Sequence, residues 1–133
     1  MALRTGSRFG VSMAEVFPDG CYLVPDSITA AMDYDEKTKQ RTPSTDRVTG
    51  KRVYQCRVVD MDPELAGRSR EVAVKILADR EPAPPTRQPF EPVEFDGLTA
   101  TPYVTDRGRM AYSLRASGIK AGRAVAHAPK DAA

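Results

Sequence analysis

The run from Arg109 to Ile119, Arg-Met-Ala-Tyr-Ser-Leu-Arg-Ala-Ser-Gly-Ile, admits few conformations. Met110, Tyr112, Leu114 and Ala116 fall on one side of an extended strand, and Arg109, Ala111, Ser113 and Arg115 on the other. The expectation is an apolar row turned into a core, with two guanidiniums held on a rigid outer face. A helix would scatter the same residues around its circumference.

The rest of the chain carries the same two-residue period. Cys21-Tyr-Leu-Val24 follows the turn signal Pro18-Asp-Gly20, and Ile28, Ala30, Met32 and Tyr34 continue the alternation. Met13–Phe17 has room for one helical turn before that strand. In Arg52–Met61, Tyr54, Cys56 and Val58 share one face, and Val53, Gln55, Arg57 and Val59 the other. Arg70–Ala78 turns Val72, Val74 and Ile76 inward and Glu71, Ala73 and Lys75 outward. Pro92–Val104 reads as a fourth strand with a bend or bulge at Gly97, and Asp106-Arg-Gly108 as a tight turn into the fifth. Gly118 is placed to let that last strand curl closed.

Three stretches interrupt the strands. Asp35–Lys51 is polar and turn-rich, so it reads as a long excursion between the first and second strands. Asp62–Gly67 breaks the second strand with one helical turn. Residues 79–90 hold four prolines and read as an extended crossing. Eleven prolines and nine glycines in 133 residues fit many short elements joined by turns. The expected fold is all-β: a five-stranded OB-like barrel over 15–120, with a flexible arm over 1–14 and a disordered basic tail over 121–133. An SH3-like barrel or a small β-sandwich satisfies the same pattern. The irregular third-to-fourth crossing favours the OB arrangement.

Five segments occur in order: Val16-Phe-Pro-Asp-Gly-Cys-Tyr22, Asp46-Arg-Val-Thr-Gly-Lys51, Val59-Asp-Met-Asp-Pro63, Pro92-Val-Glu-Phe-Asp-Gly-Leu98 and Met110-Ala-Tyr-Ser-Leu-Arg-Ala116. Together they resemble the Pra-type proteins of actinobacterial integrative elements, the plasmid replication, integration and excision activators. The resemblance spans about residues 15–120 and is most specific at the run ending Leu-Arg-Ala. It implies a role in replication or excision of a mobile element, without saying whether DNA is touched directly. The strand order is also similar to small phage single-strand-binding proteins with an OB-like core, a likeness of architecture alone.

Net charge is only +2, but the charges are segregated. Lys39–Arg57 holds six basic residues against one acid, Asp46, and Arg107–Lys130 holds six with none. Residues 15–36 hold six acids and no base, and 60–96 hold nine acids and five bases. Such segregation can build a positive surface on a nearly neutral molecule. The expected grip on phosphates is Arg57, Lys75, Arg109 and Arg115 from the barrel wall, with Arg41, Arg47, Lys51 and Arg52 on the excursion closing over the strand. Tyr34 and Tyr103, at strand ends beside turns, are the expected base-stacking platforms. Tyr54 and Tyr112 share faces with apolar rows and are assigned to the core.

Other chemistries find little support. Asp33-Tyr-Asp35 and Asp60-Met-Asp62 lack the Gly at position six that a calcium loop needs, and read as turn-entry aspartates bonded to their own backbone. Neither a cysteine nor a serine has a histidine partner, since the one histidine, His127, lies in the tail. Cys21 and Cys56 read as small buried hydrophobes. No apolar run approaches the roughly 18 residues of a membrane span, and no apolar stretch follows the first charges as in a secretory signal. The expectation is a cytoplasmic, non-enzymatic protein with no cofactor or metal. It binds DNA, single-stranded in preference, and has possible replication or recombination partners. A homodimer through open strand edges is compatible with it. The rival is a regulatory module, a transcription activator or a partner-docking domain of the element, without single-strand binding.

Overall fold

β-Branched and aromatic residues at alternate positions do build strands throughout the chain. The computed structural model describes residues 7–65, 70–85 and 89–122. Among the described residues are eleven strands and one short helix: β1 (Phe9–Gly10), α1 (Met13–Val16), β2 (Cys21–Leu23), β3 (Thr29–Ala30), β4 (Met32–Asp35), β5 (Gln40–Pro43), β6 (Arg52–Asp60), β7 (Glu71–Ala78), β8 (Pro92–Asp96), β9 (Thr99–Val104), β10 (Met110–Ala116) and β11 (Gly118–Ala121). The fold is mostly β, organised around one curled sheet. No helix among the described residues is long and apolar enough to cross a membrane.

The main sheet runs β1-β9-β10-β7-β6-β2-β8-β11, with β3 paired to β6. Neighbours are antiparallel except β7 and β10, which pair in parallel over Val74–Ile76 and Leu114–Ala116. A single hairpin register joins the last four strands. Met110 faces Val104, Arg115 faces Thr99, Gly118 faces Asp96 and Ala121 faces Val93. No residue is inserted at the corner between the two halves. The bend falls at Gly97 and Ser117, where Ser117 N donates to Asp96 O at 2.8 Å. Gly97 has φ +61°, and a Cβ there would stand 2.6 Å from Ser117 Oγ, so glycine suits this corner on both counts. The bend expected at Gly97 is present, and the curl assigned to Gly118 falls one residue earlier.

The core gathers the inward positions of β2, β6, β7 and the hairpin. Cys56, Val58, Val74 and Ile76 are wholly buried, packed with Phe17, Tyr54, Val93, Phe95, Leu98 and Ala116. Cys21 and Cys56 are free and buried, and burial pushes both thiols up to about 12. Cys21 Sγ donates weakly to Val93 O at 3.5 Å. The inward sets read from the sequence for β6 and β7 are found as expected, with Val72 half-buried at the rim.

Three expectations need correction. Met110 and Tyr112 share the parity of Leu114 and Ala116 and are expected inward with them, but they are 66% and 56% exposed while Leu114 and Ala116 are buried. The alternation holds along β10, yet no core lies beneath its first half, because β10 parts from β7 before Leu114. The excursion begins earlier than Asp35, since β4 and β5 form a separate two-stranded hairpin over 32–43, exposed along its length. The part of the expected flexible arm that is described, 7–14, is held to the sheet. β1 pairs with β9, Phe9, Val11 and Met13 pack on the core, and Ser12 caps α1 in a reciprocal capping box with Glu15. Alternate apolar residues at 9, 11 and 13, masked by polar neighbours, account for it. The expectations for residues 1–6, 66–69, 86–88 and 123–133 lie outside the described residues.

Candidate nucleic-acid interface

The outer face of the curled sheet is defined by pairing register. Gln55, Lys75, Arg115 and Thr99 form one row across β6, β7, β10 and β9. The next row carries Arg57, Ala73, Ser113 and Thr101, though β7 and β10 have already separated there. Beyond the separation, Val72 and Tyr112, which continued pairing would set opposite one another, line a cleft of about 640 Å³. Lys75, Arg115, Gln55, Tyr103 and Tyr112 line it as well. The fork between two parallel strands therefore brings cationic and aromatic side chains to one opening.

At one end the cleft meets the loop between β5 and β6. Val53 and Leu77, the row after Lys75 and Arg115, are both 8% exposed although they lie on the outer face. The loop is fixed by Ser44 N to Ala31 O, Val53 N to Ser44 O and Gly50 N to Asp46 O. Its anchor is Asp46, whose side chain is 3% exposed. Arg8 donates to both carboxylate oxygens, at 2.8 and 3.1 Å, and Thr49 donates through N and Oγ1 at 2.9 and 3.0 Å. The Arg8 bonds, reinforced by Thr49, hold the Asp46 carboxyl well below the usual carboxylate range, against the opposing effect of burial.

Asp46 is thus saturated by Arg8, and Arg115 reaches it only at 3.7 Å through Nε. That Nε is buried and has no hydrogen-bond partner, while the same guanidinium donates to Ser113 Oγ at 3.2 Å. Among the described residues no carboxylate comes within ion-pair distance of Lys75. Burial first, and then the neighbouring Arg115, lower the Lys75 ammonium from its ordinary range. Burial and Arg8 lower Arg115 likewise, with Asp46 opposing. Two cations stand side by side without a full counter-charge.

The expected site is brought together only in part. Lys75, Arg115 and Tyr103 meet at the cleft. Arg57 lies on the same face but is paired with Glu71 at 2.9 Å, a carboxylate one strand across. Arg109 sits exposed at the β9–β10 tip, away from the Lys75 row. Arg41 is directly opposite Tyr34 on the β4–β5 hairpin, both outside the cleft, with Tyr34 56% exposed. Arg47 lines a smaller pocket beside Asp46, Lys75 and Arg115. Lys51 is exposed where that loop leads into β6, and Arg52 at the start of β6 shares the parity of Tyr54, the face opposite Lys75. Of the eight cations expected to form one continuous grip, the structure brings Lys75 and Arg115 together, with Arg57 and Arg47 beside them, and sets the other four apart. Within the excursion, 44–51 packs down as a wall beside this pair, apart from the exposed β4–β5 hairpin.

Sequence reading missed Arg8, Asp46 as an anchor, and Tyr112 as an exposed ring. Asp46-x-x-Thr49 has the spacing of a side chain capping its own turn, which was a usable signal. Nothing local marked Arg8, whose partner is 38 residues away. Three of the four aspartates behave as read: Asp35, Asp60 and Asp62 accept from the backbone of Lys37, Asp62 and Glu64, whereas Asp33, inside β4, accepts from Ser44 Oγ. Comparison with family models, with curated proteins and with solved structures finds no match for this chain.

Proposed function

We propose that the chain is a non-enzymatic binder of single-stranded nucleic acid, DNA in preference, with the fork between β7 and β10 as its site. The observation that carries this reading is the meeting of Lys75 and Arg115 with the exposed rings of Tyr103 and Tyr112 at one cleft. Cations lacking a full counter-ion neutralise phosphates, and exposed aromatic faces stack any base, which gives affinity with little sequence preference.

The fold reading refines in the same direction. Following the pairings from β2 through β6, β7, the β10–β11 strand and the β8–β9 strand leads back to β2. Counted as five bent strands, these pairings, with the third and fifth parallel, support reading the curled sheet as an OB-type barrel. In that fold, the face of the second and third strands, with the loops after the first and fourth, takes oligonucleotides. Here those correspond to β6–β7, the 24–51 excursion bearing Tyr34 and Arg41, and the 104–110 tip bearing Arg109. The resemblance of the five sequence segments to Pra-type proteins suggests the setting: replication, excision or transfer of an integrative element inside the cell.

The alternative is a docking module for a replication or recombination partner, and the exposed Val104 and Met110 at the hairpin tip favour it. Fluorescence anisotropy separates the two, using an oligothymidylate, a matched duplex and an RNA strand at two salt concentrations. Single-strand binding that weakens steeply with salt is expected. Duplex-only binding favours a regulator, and no binding to any of the three leaves docking.

A further inference from the structure

The strand-binding cleft is closed at one end. Running along β10, the tyrosine-bearing row of Tyr103 and Ala111 lies four residues, or ~13 Å, from Arg115. Past Arg115 the face does not continue, because the 44–51 loop covers Val53 and Leu77 and is clamped there by Arg8 and Asp46. An internal phosphodiester needs an exit on both sides. A strand end needs only one.

The closed end is also where positive charge goes unanswered. The pocket there, about 250 Å³, is lined by Arg8, Arg47, Lys75 and Arg115 against Asp33 and Asp46. Asp46 is saturated by the Arg8 fork and Thr49, and Asp33 accepts from Ser44 Oγ at 2.8 Å. Arg47, Lys75 and Arg115 remain, the last two directly paired across β7 and β10, with the Arg115 Nε a buried donor lacking an acceptor. Repulsion between Lys75 and Arg115 is relieved best by a doubly charged anion with several acceptor oxygens. An internal phosphate brings one negative charge, whereas a phosphomonoester brings about −1.5 to −2 at neutral pH and three acceptors.

We propose that Lys75 and Arg115, at the walled end of the cleft, seat the terminal phosphomonoester of a nucleic-acid strand, so that this protein binds strand ends in preference to strand interiors. The inference rests on the strand-binding reading above and adds to it the part of the strand that is bound. Bases following the terminal phosphate then reach Tyr103 and Tyr112 along the open side of the cleft, away from the 44–51 loop.

The test is anisotropy with three oligothymidylates of about ten nucleotides, within the span of a single OB-type site. One carries a 5′-phosphate, one a 3′-phosphate and one hydroxyls at both ends, each labelled internally. One phosphorylated end is expected to bind about tenfold tighter than the hydroxyl-ended strand, and which end does so fixes the polarity. Equal affinity for all three overturns the inference and leaves single-strand binding intact. Failure of all three to bind removes both. Lys75→Gln is expected to abolish the preference and Lys75→Arg to retain it, whereas Arg109→Gln weakens all three alike. A preference that survives in folded Lys75→Gln, checked by thermal melting, also overturns the assignment.

Discussion

The hairpin from Pro92 to Ala121 keeps one register along its length, yet its two halves occupy different surroundings. In the half nearer β2, Val93, Phe95, Leu98 and Ala116 are at most 4% exposed. In the half nearer the tip, Tyr103, Val104, Met110 and Tyr112 are 45 to 66% exposed. Both halves alternate polar and apolar residues in the same way. The difference is what lies across from them: the first half faces Phe17, Cys56 and Ile76 in the core, whereas the second extends past the point where β7 leaves it. Alternation reports which side chains share a face, and only the rest of the fold decides whether that face is covered. Rings left more than two-fifths exposed keep a face free to serve binding.

The contrast is broken most forcefully from inside. Phe95→Ala removes a buried ring that stacks obliquely on Phe17 at 6.3 Å, and is expected to cost about 4 kcal/mol in denaturant unfolding. Next comes the clamp beside the junction of the halves. Asp46→Asn leaves the Arg8 fork without its anion, with an expected loss of about 3 kcal/mol. The sign of its pH dependence follows from the direction of the shift. Asp46 has a carboxyl lowered in the folded state, so its contribution is full above the unfolded value of about 4 and is lost as pH falls below it. Melting temperature followed from pH 7 downward should therefore drop more steeply in the parent protein than in Asp46→Asn.

The outer half should respond in binding and not in folding. Tyr112→Ala touches only an edge-on contact with Phe9, so stability should shift by less than about 0.5 kcal/mol. Oligothymidylate affinity should fall by about 1–3 kcal/mol, the worth of a lost stacking platform. A large drop in melting temperature for this variant would mean that the tip is structural after all. The smallest effect belongs to the corner itself. Gly97→Ala places a side chain at φ +61° and against Ser117, costing about 1 kcal/mol, with hydrogen exchange at Ser117 as its local readout.

Much of this architecture was legible because it rests on local chemistry. Tyr54-x-Cys56-x-Val58 and Val74-x-Ile76 declare their inward faces, Gly97 and Gly108 mark the bend and the turn, and Asp35, Asp60 and Asp62 close their own turns. The site was less legible, since its key relations span the chain. Lys75 and Arg115 are neighbours only through the parallel pairing of β7 and β10. Arg57 is compensated by Glu71 only through the β6–β7 register, and Arg8 finds Asp46 across 38 residues. Charge clustering along the sequence counted eight candidate cations, and cross-strand partners determined which of them still lack a counter-ion.

Cys21 and Cys56 belong to two adjacent strands of the sheet, and their thiols sit too far inside to ionise near neutral pH. Alkylating reagents should therefore modify neither while the sheet is closed. The rate at which label accumulates becomes a clock for spontaneous opening, built into the unmodified chain. If occupation of the cleft by an oligonucleotide slows that clock, strand capture and closure of the sheet draw on the same free energy.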